Sequence, residues 1–206
     1  MQLRFINQQS CAEGLGVPYP KGESNRSENV GYHDVKKIPD SVALFPELQG
    51  WPELRDLILV ANQPDSIFRT LRCDISSNQV RSVDLRYEHK ISSYITLAFE
   101  LLDLNTEANF KKLYGEFQSF VAKFPNRTDC CIEFELVPTS YHSAENVGYT
   151  AWSVDVWIHG YGPNEKEAKI NWFAGMLAVK GFILDQNTRY RKILRTERKK
   201  IGDFFV

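Results

Sequence analysis

The chain has 206 residues, of which 43% are hydrophobic and 25% charged, enough for one well-buried core and short for two. A formal net charge of −1 gives no whole-chain electrostatic reason to bind nucleic acid or a membrane surface. No stretch has the length and apolar content of a signal peptide or a bilayer span, so a cytoplasmic location is expected.

Near the start, "LRFIN" alternates Leu3 and Phe5 against Arg4 and predicts a first strand. Residues 8–39 are polar, with Gly14, Gly16, Pro18, Pro20 and Gly22, and predict a long loop. "GWPELRDLILVAN" predicts a short helix: Pro52 suits the first turn, and Leu54, Leu57, Ile58 and Ala61 share a face. "DSIFRTLRCDIS" fits helix or strand. Strand is the better reading, with Ile67, Leu71, Cys73 and Ile75 on one face, because a turn-like "SSNQ" and a further strand, "VRSVDLRYEH", follow. "SSYITLAFELLDL" then places Ile95, Leu97, Phe99 and Leu101 on one strand face.

"NTEANFKKLYGEFQSFVAKF" is the clearest helix. Asn105 or Thr106 can cap it, and Phe110, Leu113, Tyr114, Phe117, Phe120, Val121 and Phe124 form an apolar stripe. "DCCIEFELVP" alternates Cys130, Ile132, Phe134 and Leu136 against Cys131, Glu133 and Glu135. A second polar loop, "TSYHSAE", carries His142. "TAWSVDVWIHGYG" puts Trp152, Val154, Val156 and Ile158 on one face and Ala151, Ser153, Asp155, Trp157 and His159 on the other. "PNEKEAKINWFAGMLAVKGFIL" predicts a second long helix. The segment 188–206 is basic: seven Lys and Arg against two acids, leaving the rest of the chain at net −6.

These elements predict a single α+β domain over 1–206, a mainly antiparallel sheet packed by two long helices. The order reads β-α-β-β twice, which suggests a pseudo-duplicated sheet. The apolar strand faces must meet the helices. The opposite face would then gather Tyr94, Thr96, Ala98, Glu100, Cys131, Glu133, Glu135, Tyr149, Ala151, Ser153, Asp155, Trp157 and His159. From these, Trp157, Asp155, His159, Glu133, Glu135, Tyr94 and Glu100 are the candidate binding residues.

Three readings of that face compete. It is a solvated outer sheet face. It is a recognition surface for a partner, because acids steer cations and Trp and Tyr are good anchors. Or it is a catalytic or metal site built from Glu133, Glu135, Asp155 and His159. No G-x-S-x-G, phosphate loop, dinucleotide fingerprint or H-E-x-x-H occurs. The four cysteines, Cys11, Cys73, Cys130 and Cys131, lack metal-ligand or disulfide-framework spacing. Asp129 and Glu133 would raise, not lower, the pKa of the Cys130–Cys131 pair, so Cys130 is expected to pack in the core.

The expectation is therefore a non-enzymatic protein with no catalytic residues, cofactor or metal. Its expected partner is a protein of basic character, and an immunity-type inhibitor of a toxin fits the size, charge and lack of motif. A small molecule held between the two β-α-β-β halves is the second reading, and a hydrolase-like enzyme using the carboxylate and histidine cluster the third. The basic tail reads as a solvated helix face before it reads as a nucleic-acid or lipid contact.

Overall fold

A computed structural model of the chain describes residues 1–7, 15–18, 31–79, 87–123, 128–142 and 147–202, with the side chains of 147–149 and 192–202 not among those described. Six strands form one sheet: β1 (Gln2–Asn7), β2 (Leu15–Val17), β3 (Phe68–Gln79), β4 (His89–Phe99), β5 (Cys130–His142) and β6 (Val147–Gly162). Their spatial order is β1-β5-β6-β4-β3, with β2 also beside β5. The ladders β5–β6, β6–β4 and β4–β3 are antiparallel, whereas β1 and β2 add parallel to β5. The sheet is thus mixed, and its antiparallel part is the pair of hairpins.

Among the described residues the α-helices α1 (Pro52–Ala61), α2 (Glu107–Val121) and α3 (Glu165–Gly202) complete a single α+β domain. Main-core side chains come from all three helices and from one face of the strands: Ile91, Ile95, Ile132, Phe134, Val154, Val156 and Ile158 meet Leu57, Phe117 and Trp172. Trp152 packs against this core while half-buried. The face assignment of "TAWSVDVWIHGYG" read from its alternation therefore holds.

Local chemistry explains the helix boundaries. Thr106 caps α2 by accepting from Asn109 N at 3.2 Å. Asn105 is instead buried and staples the end of β4, accepting from Phe99 N at 2.7 Å and donating to Phe99 O at 3.0 Å. Asn164 accepts from Glu167 N at 2.9 Å at the start of α3. That helix continues to Gly202 without a break, so residues 188–202 of the basic segment extend it. Within the segment, Arg189 pairs with Asp185 and Arg191 with Asp65. No described helix is long and apolar enough to cross a membrane.

Four sequence expectations change. The 8–39 loop contains β2, and its residues 8–14 and 19–30 lie outside the described residues. His142 ends β5 and does not sit in a loop. Residues 80–86 of "VRSVDLRYEH" also lie outside, and His89 opens β4, so among the described residues the order is an α-β-β unit that occurs twice. Leu101 is 54% exposed because β4 stops at Phe99 and the alternation stops with it.

A fifth change has consequences for the site. The β3–β4 register shifts between Thr70 and Arg72, a bulge at Leu71. Phe68 and Thr70 face the helices, and Cys73 and Ile75 pack on the same core. Leu71 joins a second apolar cluster with Val17, Ala98, Tyr141 and Ala151 on the opposite face. Arg69 opposes Ala98 and Arg72 opposes Thr96, so both guanidinium groups reach that face. An unbroken alternation would have placed one of them among the helices.

Candidate functional site

The face turned away from the helices divides into two zones. At one end the Val17, Leu71, Ala98, Tyr141 and Ala151 cluster is buried, packed by Leu15, Tyr32 and Leu102. Beside it the hydroxyls of Thr139 and Ser153, both fully buried, hydrogen-bond at 2.7 Å. The other end centres on Trp157. Cross-strand pairing sets Tyr94 on one side of it and Glu133 on the other. The Tyr94 and Trp157 ring centroids are 4.5 Å apart, and the Trp157 indole stacks on the His159 imidazole at 5.9 Å. The indole N–H donates to Glu135 Oε2 at 2.9 Å. Trp157 and Tyr94 remain half-buried, held in place by neighbours on their own sheet.

His159 is buried between two polar groups. Its Nδ1 lies 2.9 Å from Ser92 Oγ and its Nε2 3.5 Å from Glu133 Oε2. Burial lowers its pKa and the Lys90 ammonium adds to that, while Glu133 opposes both. Glu133 also accepts from Arg4 at 3.1 Å across the parallel β1–β5 pair. Tyr94 is pushed up to about 12, chiefly by burial.

Asp155 is 3% exposed, although acids beside Trp157 first suggest a solvated position. Its compensation is specific. Arg72 donates to Oδ2 at 2.8 Å, Thr96 donates to Oδ1, and Arg72 Nε also bonds Thr96 Oγ1 at 3.0 Å. Burial still raises the Asp155 pKa, with Arg72 and Thr96 opposing. Removing one partner of such a pair leaves an uncompensated buried charge. Arg72→Met should therefore cost about 2–3 kcal/mol, the low side of a buried pair because Arg72 is itself part-exposed. Adding Asp155→Asn should recover most of that loss in urea titrations.

Glu100 stands apart from this group. It lies just past the end of β4, bound by Arg69 in a fork at 2.9 and 2.8 Å and by Lys36 at 3.3 Å. Burial works against its ionisation, but Arg69 and Lys36 outweigh it and hold the carboxyl below its usual range. Of the seven candidates, the structure thus brings together Trp157, Tyr94, Glu133, Glu135, His159 and Asp155, and leaves Glu100 at the far end. The side chain of Tyr149 lies outside the described residues. Arg4, Arg72, Lys90 and Ser92 were not foreseen as members. Arg4 was legible as the outward residue of "LRFIN"; Arg72 was not, because the bulge sets its direction.

Ser92, His159 and Glu133 have the residue types of a nucleophilic triad. Each stands inside a paired stretch of β4, β6 or β5, so neighbouring backbone N–H groups serve the ladder and supply no oxyanion donors. Cys131 donates to Glu133 at 3.6 Å, and burial with the Glu133 charge pushes its thiol up to about 11. Cys130, on the helix side, is pushed up to about 12 by burial. Neither is a thiolate at neutral pH. Among the described residues no three His, Cys, Asp or Glu side chains gather as metal ligands.

The His159 environment predicts a pH effect. Its folded pKa lies below the unfolded value of about 6.5, so the unfolded chain takes up the proton first. Stability should fall as pH drops through roughly 6.5 toward the folded value. His159→Gln should flatten that fall, read as the difference between urea midpoints of the two proteins at neutral and mildly acidic pH.

Compared with protein-family models, with curated proteins and with solved structures, the chain matches none.

Proposed function

We propose that the chain is a non-enzymatic binding protein whose outer sheet face, at the Trp157–Tyr94 end, docks a protein partner of basic character. The observation that carries this is the half-buried aromatic pair flanked by Glu133 and Glu135 on the side of the sheet turned away from the described helices. Trp157 is already fixed by Tyr94, His159 and Glu135, so little side-chain entropy remains to be lost on binding. The carboxylates supply long-range attraction for a cationic surface. A toxin neutralised by an immunity-type inhibitor is a partner of this chemistry, an assignment by analogy of size and charge. A small ligand between two halves is the weaker reading, because β4 and β6 pair directly from His89–Gly162 to Leu97–Val154.

A photo-crosslinking residue at Tyr94, with mass spectrometry of the adduct, should identify the partner. Trp157→Ala should then weaken its binding by about 2 kcal/mol or more, the scale of an anchor residue. The melting temperature should change little. Glu135→Lys should slow association and reduce its salt dependence, and should also speed dissociation, because it removes the acceptor that holds the Trp157 indole. Asp155 should contribute nothing directly, since Arg72 already holds it. Normal binding by a Trp157→Ala protein that melts far earlier would sink the proposal and make this face structural.

A further inference from the structure

The burial repeat of α3 is broken by one polar side chain. Trp172, Met176, Val179 and Ile183 recur at intervals of four, three and four residues, and all belong to the main core. The next position of that repeat is Gln186. It is 8% exposed, and its amide Nε2 is shielded from solvent with no hydrogen-bond partner. A buried N–H donor left unmade is costly, so Gln186 is held at a loss unless something accepts from it. It lines a cavity of about 160 Å³ where α3, α2 and the end of β4 meet. Phe99, Leu104 and Leu113 give the cavity apolar walls, and Asn109, Lys112 and Glu116 of α2 complete its lining.

We propose that this cavity binds a small zwitterion of the α-amino-acid class with an apolar side chain. Charge is the first argument. Glu107 and Lys111, four residues apart on α2, form an ion pair. Lys112 and Glu116 have the same spacing in the reverse order, the weaker arrangement in a helix. Neither has an ion-pair partner among the described residues. One cation and one anion are therefore available on a single wall of the cavity. A ligand carboxylate is the acceptor that Gln186 Nε2–H lacks, and Lys112 supplies the opposite charge. The ligand ammonium is matched by Glu116. Asn109 spends its Nδ2 on Leu104 O at 3.0 Å, which leaves its Oδ1 to accept from the same ammonium. Size is the second argument. Pockets for drug-sized ligands begin at about 300 Å³. A space of about 160 Å³ with walls of Phe99, Leu104 and Leu113 suits one short aliphatic side chain and two charged groups. The site lies in the helix layer, apart from the sheet face proposed for the protein partner.

Isothermal titration calorimetry of the full chain with L-valine and L-leucine tests the proposal. At least one of them should bind with a Kd in the millimolar range or tighter. 4-Methylpentanoate lacks the ammonium of leucine and isoamylamine lacks its carboxylate. Each should bind about 10-fold or more weakly than leucine, the scale of one lost hydrogen bond to a charged group. Gln186→Leu should weaken amino-acid binding about 10-fold or more. Its urea midpoint should stay the same or rise, because an unpaired buried donor is replaced by an apolar side chain of similar size. Lys112→Gln and Glu116→Gln should each weaken binding, and circular dichroism should show both folded. These two variants test the site even where Gln186→Leu fails to fold. A wild type that binds neither amino acid overturns the proposal. So does binding that survives Gln186→Leu or both charge variants. Binding of 4-methylpentanoate or isoamylamine as tight as that of leucine also overturns it, because the site would then read one charge only.

Discussion

Gly160→Ala should cost about 4 kcal/mol or more, in the range reserved for substitutions that break a packing contact outright. Gly160 lies in β6 directly beneath α3. A Cβ added there would overlap Trp172 N and Ala168 O, and would come within 2.5 Å of Trp172 Cβ. The first two are backbone atoms of a helix, so no rotamer change relieves the clash and α3 must lift. The lift would expose Trp172, which is fully buried, donates Nε1–H to Ser93 Oγ at 2.9 Å and meets the edge of Trp51 at 5.3 Å. Gly162 faces the same helix one step on, with Glu167 Cβ 2.9 Å from an added Cβ. Urea unfolding gives the cost, and near-ultraviolet circular dichroism reports Trp172 leaving its site. A loss below about 1 kcal/mol would mean that α3 does not sit this close to β6.

Phe117→Ala should cost about 3–5 kcal/mol, the range for deleting a core aromatic. Phe117 has no exposed surface and sits where α2, β5 and α3 converge. Its ring lies 5.1 Å from Phe134 on the sheet and 5.1 Å from Phe182 on α3. Truncation opens a cavity whose walls belong to three different elements, so collapse of any one fills it only in part. Phe117→Leu should lose much less, because most of the volume is kept. A comparable loss for both variants would point to the ring contacts, not the volume, as the source of stability.

These two positions show different degrees of legibility. Phe117 is visible in the sequence, because helical periodicity places it in the middle of an apolar stripe. Gly160 has no side chain to place on a face, and nothing in the alternation of "TAWSVDVWIHGYG" singles it out. Its role depends on how closely α3 approaches β6, a distance that no local pattern encodes. The site divides in the same way. Alternation alone put Trp157, Asp155 and His159 on one face of their strand, and Glu133 and Glu135 on one face of theirs, and the structure brings these residues side by side.

The sequence by itself determined the α+β class, the main helices, and which face of β4, β5 and β6 meets the core. The reason is that burial is periodic: a half-buried strand must repeat every second residue, and an amphipathic helix every third or fourth. Only the tertiary structure decided which polar groups meet. Arg4 reaches Glu133 because β1 adds parallel to β5, and Ser92 reaches His159 through the register of β4 on β6. Arg72 reaches Asp155 because one extra residue in β3 turns it to that side. Whether an acidic side chain on that face is a solvated charge or a buried partner follows from those pairings. They join residues far apart in the chain, so their physical cause lies in strand register and not in any stretch of sequence that can be read alone.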